Sequence, residues 1–135
     1  EFKIGKSITL KEGKDITIFC AGAMVKQCLE AAKILDQKQI YAKVVNMHTI
    51  KPIDKKAVEE SCNSKLIISV EEHNIVGGLG SAIAECKAKL SKSPKQLFLG
   101  VKDIYSKGGS YKFLQEKHRL TSEKIVEDIV LELGK

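Results

Sequence analysis

Three stretches of the chain gather residue types that could bind or react. The first is Asn46-Met47-His48-Thr49-Ile50-Lys51-Pro52-Ile53-Asp54, which offers an imidazole, a hydroxyl and an ammonium close together. A histidine here could move a proton. Catalytic histidines come with an orienting partner, however, and no carboxylate or nucleophile stands at a spacing that supplies one. Lys51-Pro52 instead suits a stiff connection leading to a helix that Asp54 would cap. The reading is a structural or interface loop.

The second stretch is Glu71-Glu72-His73-Asn74-Ile75-Val76-Gly77-Gly78-Leu79-Gly80-Ser81. Glycines ahead of a helix let backbone N–H groups approach a phosphate. Glu71, Glu72 and His73 are also metal-ligand types. Geometry argues against both. Neighbours at a strand end point to opposite faces, so three in a row converge poorly on one ion. Two carboxylates also repel an anion. The bland use of Gly77, Gly78 and Gly80 is close packing of a helix on its strand or on a partner. The third stretch, Cys20-Ala21-Gly22-Ala23-Met24, departs from G-x-G-x-x-G, and no acidic residue closes the next strand, so dinucleotide binding has little support. Lys107-Gly108-Gly109-Ser110 reads as a flexible loop, and His118 and Arg119 as a turn between helices.

The elements that must position these residues alternate between strand and helix patterns. Ile8–Leu10 and Asp15–Cys20 read as strands separated by a turn at Gly13. Met24, Val25, Cys28, Leu29, Ala32 and Leu35 recur at helical spacing. Further strands are expected at Ala42–Met47, at Leu66–Val70, which as a nearly continuous apolar run suits burial on both faces, and at Gln96–Val101. Helices are expected from Asp54 through Cys62, from Leu79 to Leu90, near Tyr111–Lys117, and from Thr121 to Leu133. Such an order implies an α/β fold: three layers, α/β/α, around a mixed, mainly parallel five-stranded sheet. The N-terminal strand pair is the natural place for an antiparallel member. Residues 1–135 read as one domain.

The net charge of +6 raises nucleic acid as a partner, but 22 of the 23 basic residues are lysines spread along the chain. Arg119 is the sole arginine, and arginine is the better reader of bases and gripper of phosphate. A lysine-rich solvated surface is the better account, with no nucleic-acid partner expected. Cys20, Cys28, Cys62 and Cys86 form no C-x-x-C pair and sit on apolar phases, so zinc and redox motifs fail on spacing. Free buried thiols imply a reducing compartment. No apolar run spans a bilayer, so a cytoplasmic protein without a membrane partner is the expectation. The opening dipeptide Glu1-Phe2 is what a common cloning site encodes, and the chain reads as a fragment or processed product.

The second and third of these segments in chain order, Val45–Asp54 and Val70–Ala82, resemble the C-terminal domain of transketolases. Gly22-Ala23-Met24 with Glu30-Ala31-Ala32, and Leu120–Val126, extend the resemblance less specifically, so that it covers nearly everything from Gly5 onward. Deoxyxylulose-phosphate synthases and β subunits of 2-oxo-acid dehydrogenases share this domain. The His-Thr-Ile-Lys-Pro and Glu-Glu-His-Asn wording is similar to short or two-part transketolases. His118-Arg119 departs from the Tyr-Gly often found there.

The resemblance implies a parent enzyme that moves a two-carbon ketol unit between sugar phosphates. Thiamine diphosphate and magnesium would be held by diphosphate- and pyrimidine-binding domains at a homodimer interface. The Gly-Asp-Gly motif associated with the magnesium is not in this sequence. No cofactor bound directly and no catalytic residue are therefore expected here. The residues expected to contact a neighbouring domain or dimer mate, or to form a ligand site, are His48, Thr49, Lys51, Pro52, His73, Asn74, Gly77, Gly78 and Gly80.

Overall fold

A computed structural model describes residues 2–134; Glu1, half of the dipeptide read as a cloning remnant, and Lys135 lie outside them. The elements run β1 (Ile8–Lys11), β2 (Ile16–Cys20), α1 (Met24–Gln37), β3 (Ala42–Asn46), α2 (Lys55–Ser61), β4 (Leu66–Asn74), α3 (Leu79–Lys87), β5 (Gln96–Val101), α4 (Tyr111–Lys117) and α5 (Ser122–Glu132). The sheet order is β1-β3-β2-β4-β5. β2 pairs in parallel with both β3 and β4, Ile16 lying opposite Ala42 and Leu66, and β4 pairs in parallel with β5. β1 is antiparallel, as expected of the N-terminal pair, but its partner is β3 and not β2. The reason is topological: β2 is the central strand, with both edges already taken by its parallel neighbours β3 and β4.

Period-2 alternation divides the core between the two faces. Ile16, Ile18, Val44 and Ile68 face α1 and α5, where they meet Cys28, Leu35, Ile125 and Ile129. Phe19, Val45 and Ile67 face the other way, against Val58 of α2 and Leu79 and Ile83 of α3. Each fully buried aliphatic side chain contributes about 1.5–3 kcal/mol. Gln27 accepts the Ser122 N–H at 2.9 Å, tying the start of α5 to α1.

Capping follows sequence chemistry. Asp54 caps α2 and Thr121 caps α5, as expected, and Ser110 caps α4. Arg119 follows α4 with φ 59°, in the left-handed region. That geometry explains why glycine serves so often at such a position, and a non-glycine residue there costs about 1–2 kcal/mol. The Arg119 guanidinium offsets the cost by forking onto Asp128 at 2.7–3.1 Å and reaching Glu127 at 3.0 Å. Those hydrogen bonds hold it further above its already high ordinary value. The sequence suggested nothing for Arg119 beyond a turn; it pins α5 to the end of α4.

Candidate functional site

Ligands of open α/β sheets gather at the carboxyl ends of the parallel strands. β4 runs past its expected end at Val70 to Asn74, so Glu71, Glu72 and His73 lie on the strand itself. Glu71 turns inward and is 5% exposed. Its carboxylate accepts the N–H of Leu79 at 2.7 Å and of Gly80 at 2.9 Å, the first backbone donors of α3. Negative charge at a helix N-terminus is favourable, and hydrogen bonds to a charged acceptor are worth about 1.5–3 kcal/mol each. The place where a phosphate would sit is occupied by the chain's own carboxylate.

The glycines are what admit it. A Cβ on Gly78 would overlap Glu71 Oε2 and stand 2.7 Å from its Cδ; one on Gly80 would stand 2.5 Å from Phe98 Cδ1 and 2.6 Å from Ser69 Oγ. Gly77 has φ +81° with open space beside it. Its N–H goes to Ser81 Oγ at 2.8 Å, while Asn74 Oδ1 accepts the Val76 N–H at 2.8 Å. Asn74 also donates to Asp103 at 2.9 Å, joining this turn to the loop after β5. His73 is exposed and its Nδ1 pairs with the Asn74 carbonyl at 2.8 Å. Gly78 and Gly80 are thus buried against their own chain, whereas His73 and Gly77 face outward. Glu72 points away from Glu71, accepting the Tyr111 hydroxyl at 3.3 Å. Slight burial, then the Glu72 charge, raises the Tyr111 phenol above its ordinary value.

The loop after β3 is bound to the N-terminal segment. Thr49 Oγ1 accepts the Gly5 N–H at 3.0 Å, and a Cβ on Gly5, which has φ +78°, would stand 3.0 Å from Pro52 Cγ. Asp54 accepts the Ser7 N–H at 2.9 Å and hydroxyl at 3.2 Å while capping Ala57 at 3.3 Å. Burial raises the Asp54 carboxyl, but these donors and Lys6 outweigh it and leave it below the usual value. His48 stacks on Phe2, ring centroids 4.4 Å apart. Both of its ring nitrogens, and Asn46 Oδ1, are buried without a hydrogen-bond partner among the described residues. Lys51 and Pro52 are exposed. Among the described residues no proton-transfer pair results from this arrangement.

The cysteines are free; Cys20 and Cys28 are buried, while Cys62 and Cys86 are half-buried, less enclosed than their apolar phase implied. Burial pushes the Cys28, Cys62 and Cys86 thiols up, which suppresses the reactive thiolate. Among the described residues no group of three or more His, Cys, Asp or Glu side chains could hold a metal. With the α3 donors filled as well, the residues present do not fit a metal-bound diphosphate. Among the described residues no helix is long and apolar enough to cross a membrane.

A feature without a sequence signal lies beside the Gly77 turn. Val76, Ile104, Tyr105, Tyr111 and Phe113 are all more than half exposed, Tyr105 completely. They sit on the β4–α3 turn, the loop after β5, and α4. Helix α4 buries none of its residues. Seven residues are too few for an isolated helix to be stable in water, so α4 depends on its Ser110 cap, the Tyr111–Glu72 contact and whatever covers its apolar side.

Comparison with known proteins agrees with this architecture. The family model described as "Transketolase, C-terminal domain" matches residues 5–125. A 6-deoxy-6-sulfo-D-fructose transketolase subunit from a Clostridium species is 40% identical over 127 residues, 93% of this chain and 39% of that protein. A 1-deoxy-D-xylulose-5-phosphate synthase from Dictyoglomus turgidum is 38% identical over 96% of this chain but only 21% of its own length. A solved split-gene transketolase, an inactive beta4 tetramer, superimposes with a TM-score of 0.85 at 38% identity, covering 93% of this chain and 40% of that one. The chain therefore spans two-fifths or less of these relatives. With the fold, the Glu71-capped glycine turn and the family match in agreement, this chain belongs to the transketolase C-terminal domain family.

Proposed function

We propose that this chain is the assembly part of a transketolase. It would supply scaffold and contact surface to an enzyme that transfers two-carbon ketol units between sugar phosphates in the cytoplasm. Thiamine diphosphate and magnesium would be held by diphosphate- and pyrimidine-binding domains, at the interface of a homodimer. The observation that carries the reading is the apolar ledge of Val76, Ile104, Tyr105, Tyr111 and Phe113, with a helix beside it that buries nothing. Exposed apolar groups gathered at one end of a sheet mark an interaction surface. His48, Thr49, Lys51, Pro52, His73, Asn74 and Gly77 flank the strand ends and complete the contact region, Thr49 and Pro52 through the corner they form with Gly5. Gly78 and Gly80 act from inside by admitting Glu71.

A phosphate-binding regulatory role at Gly77–Gly80 is disfavoured, because Glu71 takes the Leu79 and Gly80 donors. Mixing the chain with the complementary portion of a transketolase tests the main reading. A stable complex should form and two-carbon transfer should appear, with neither from the chain alone. Micromolar binding of thiamine diphosphate by the isolated chain, or its unaided turnover of a ketose phosphate, would overturn it.

A further inference from the structure

The sheet ends differently on its two sides. β1, at one edge, is four residues long, carries Lys11 and has an irregular register with β3 between Thr9 and Lys11. Shortness, charge and irregularity are usual guards of an open edge. β5, at the other edge, lacks them along its length. Gln96-Leu97-Phe98-Leu99-Gly100-Val101 carries no charge and no proline, and the irregularity in its pairing adds residues to β4, leaving β5 itself regular. Among the described residues β4 is its one strand partner.

The carbonyls of Lys95 and Val101 turn to β4, accepting the N–H of Ile67 at 3.1 Å and of Ile75 at 2.9 Å. Backbone groups alternate sides along a strand, so the N–H and C=O of Gln96, Phe98 and Gly100 point to the open side. A cleft of about 280 Å³ lies there, between Leu97 and Leu99 of the strand and Leu131 of α5. Leu131 is 79% exposed, and Phe98, on the opposite face of the strand, 36%. An added strand therefore meets free donors and acceptors with apolar side chains on both faces.

The strand also matches itself. Leu97-Phe98-Leu99 reads the same in both directions. A two-fold axis at Phe98 gives an antiparallel pair in which Phe98 meets its own counterpart, Leu97 meets Leu99 and Gln96 meets Gly100. Directly opposite residues share a face, so the leucines fill the clefts beside Leu131 while the Phe98 rings pair on the other face. Like charges are not opposed. Lys95 stands against Val101 and is already neutralised by Glu132 at 2.5 Å, and Lys102 stands against Pro94. A charged foreign strand would gain little from an uncharged edge. From these features we propose that β5 is a joint between two copies of this chain, which pair antiparallel about Phe98 into one continuous sheet. Such a two-fold contact closes on itself after two copies.

Sedimentation of the chain over a wide range of concentration, with amide hydrogen exchange followed at each, tests the joint. A monomer–dimer equilibrium should appear. Exchange at Gln96, Phe98 and Gly100 should slow at least about tenfold on dimerisation, while Leu97 and Leu99, already bonded to β4, change little. Phe98→Lys, which sets two ammonium groups face to face, should weaken dimerisation at least about tenfold. The Phe98 ring also packs near Gly80, so Leu131→Lys, at an exposed side chain, guards against a folding artefact. It should weaken dimerisation about two- to fivefold with thermal stability unchanged. A monomer at every concentration, or an undiminished dimer in both variants, would overturn the proposal. So would a dimer whose slowed amides lie on β1 or in the apolar ledge. Slowing at Gln96, Phe98 and Gly100 only when the complementary transketolase portion is added would give the edge to a foreign strand, and overturn it too. The joint shares no residue with the ledge, so either reading can fail without the other.

Discussion

Two glycine pairs look alike in the sequence and are opposites in the structure. Gly77-Gly78, with Gly80, opens α3; Gly108-Gly109 precedes α4. At the first, neighbouring atoms crowd two of the glycines so closely that a methyl group would displace the Glu71 carboxylate or the Phe98 ring. At the second, nothing lies within 4 Å of where a Cβ on Gly108 would be, and the crowding at Gly109 comes from the ring of exposed Phe113. One pair is needed because the interior is full. The other lies in a ledge that the chain itself leaves uncovered. Glycine content alone does not separate a packed turn from an open one; what approaches the backbone does.

The comparison breaks most sharply at Gly80. A Gly80→Val change should cost about 3 kcal/mol by overpacking against Ser69 and Phe98, read from the urea midpoint; a loss under about 1 kcal/mol would mean the turn is not filled. Glu71→Gln comes next. A neutral amide presents one acceptor where two donors wait, so about 2 kcal/mol should be lost, with faster hydrogen exchange at Leu79 and Gly80. On the open side, Ile104→Ser combined with Tyr105→Ser, both well exposed, should change the stability of the isolated chain by less than about 0.5 kcal/mol. The same double change should weaken association with the complementary transketolase portion at least about tenfold, or 1.4 kcal/mol. Gly108→Ala should do least. With no clash and no left-handed backbone to strain, it should stabilise the chain by about 0.5 kcal/mol through the unfolded state, and a loss above about 1 kcal/mol would show hidden packing.

Much of the framework was legible because local chemistry and burial point the same way. The run Leu66–Val70 reads as a strand covered on both faces, and it is the one Ile67 and Ile68 supply to opposite cores. Asp54 and Thr121 read as caps and act as caps. The candidate site was less legible. The acidic residue before the glycine run could be read as a reason for an anion to stay away. That the carboxylate itself occupies the anion's place depends on β4 continuing through Asn74, and no hydrophobic pattern marks that extension. His48 carries the residue type of an acid or base, yet whether a partner reaches it depends on segments remote in sequence; its neighbour is the ring of Phe2. The ledge had no signal, since Ile104, Tyr105, Tyr111 and Phe113 are residue types that a core would equally use.

The sequence by itself determined the order of strands and helices, the mixed, mainly parallel sheet and the resemblance to the transketolase C-terminal domain, because periodicity, caps and turn residues act over a few positions. Tertiary structure alone decided that β1 joins β3, that Glu71 closes the start of α3, that an aromatic ledge stays uncovered and that β5 forms an edge of the sheet. Each of these depends on where segments lie relative to one another in the folded sheet, and the chemistry of a few neighbouring positions does not encode that.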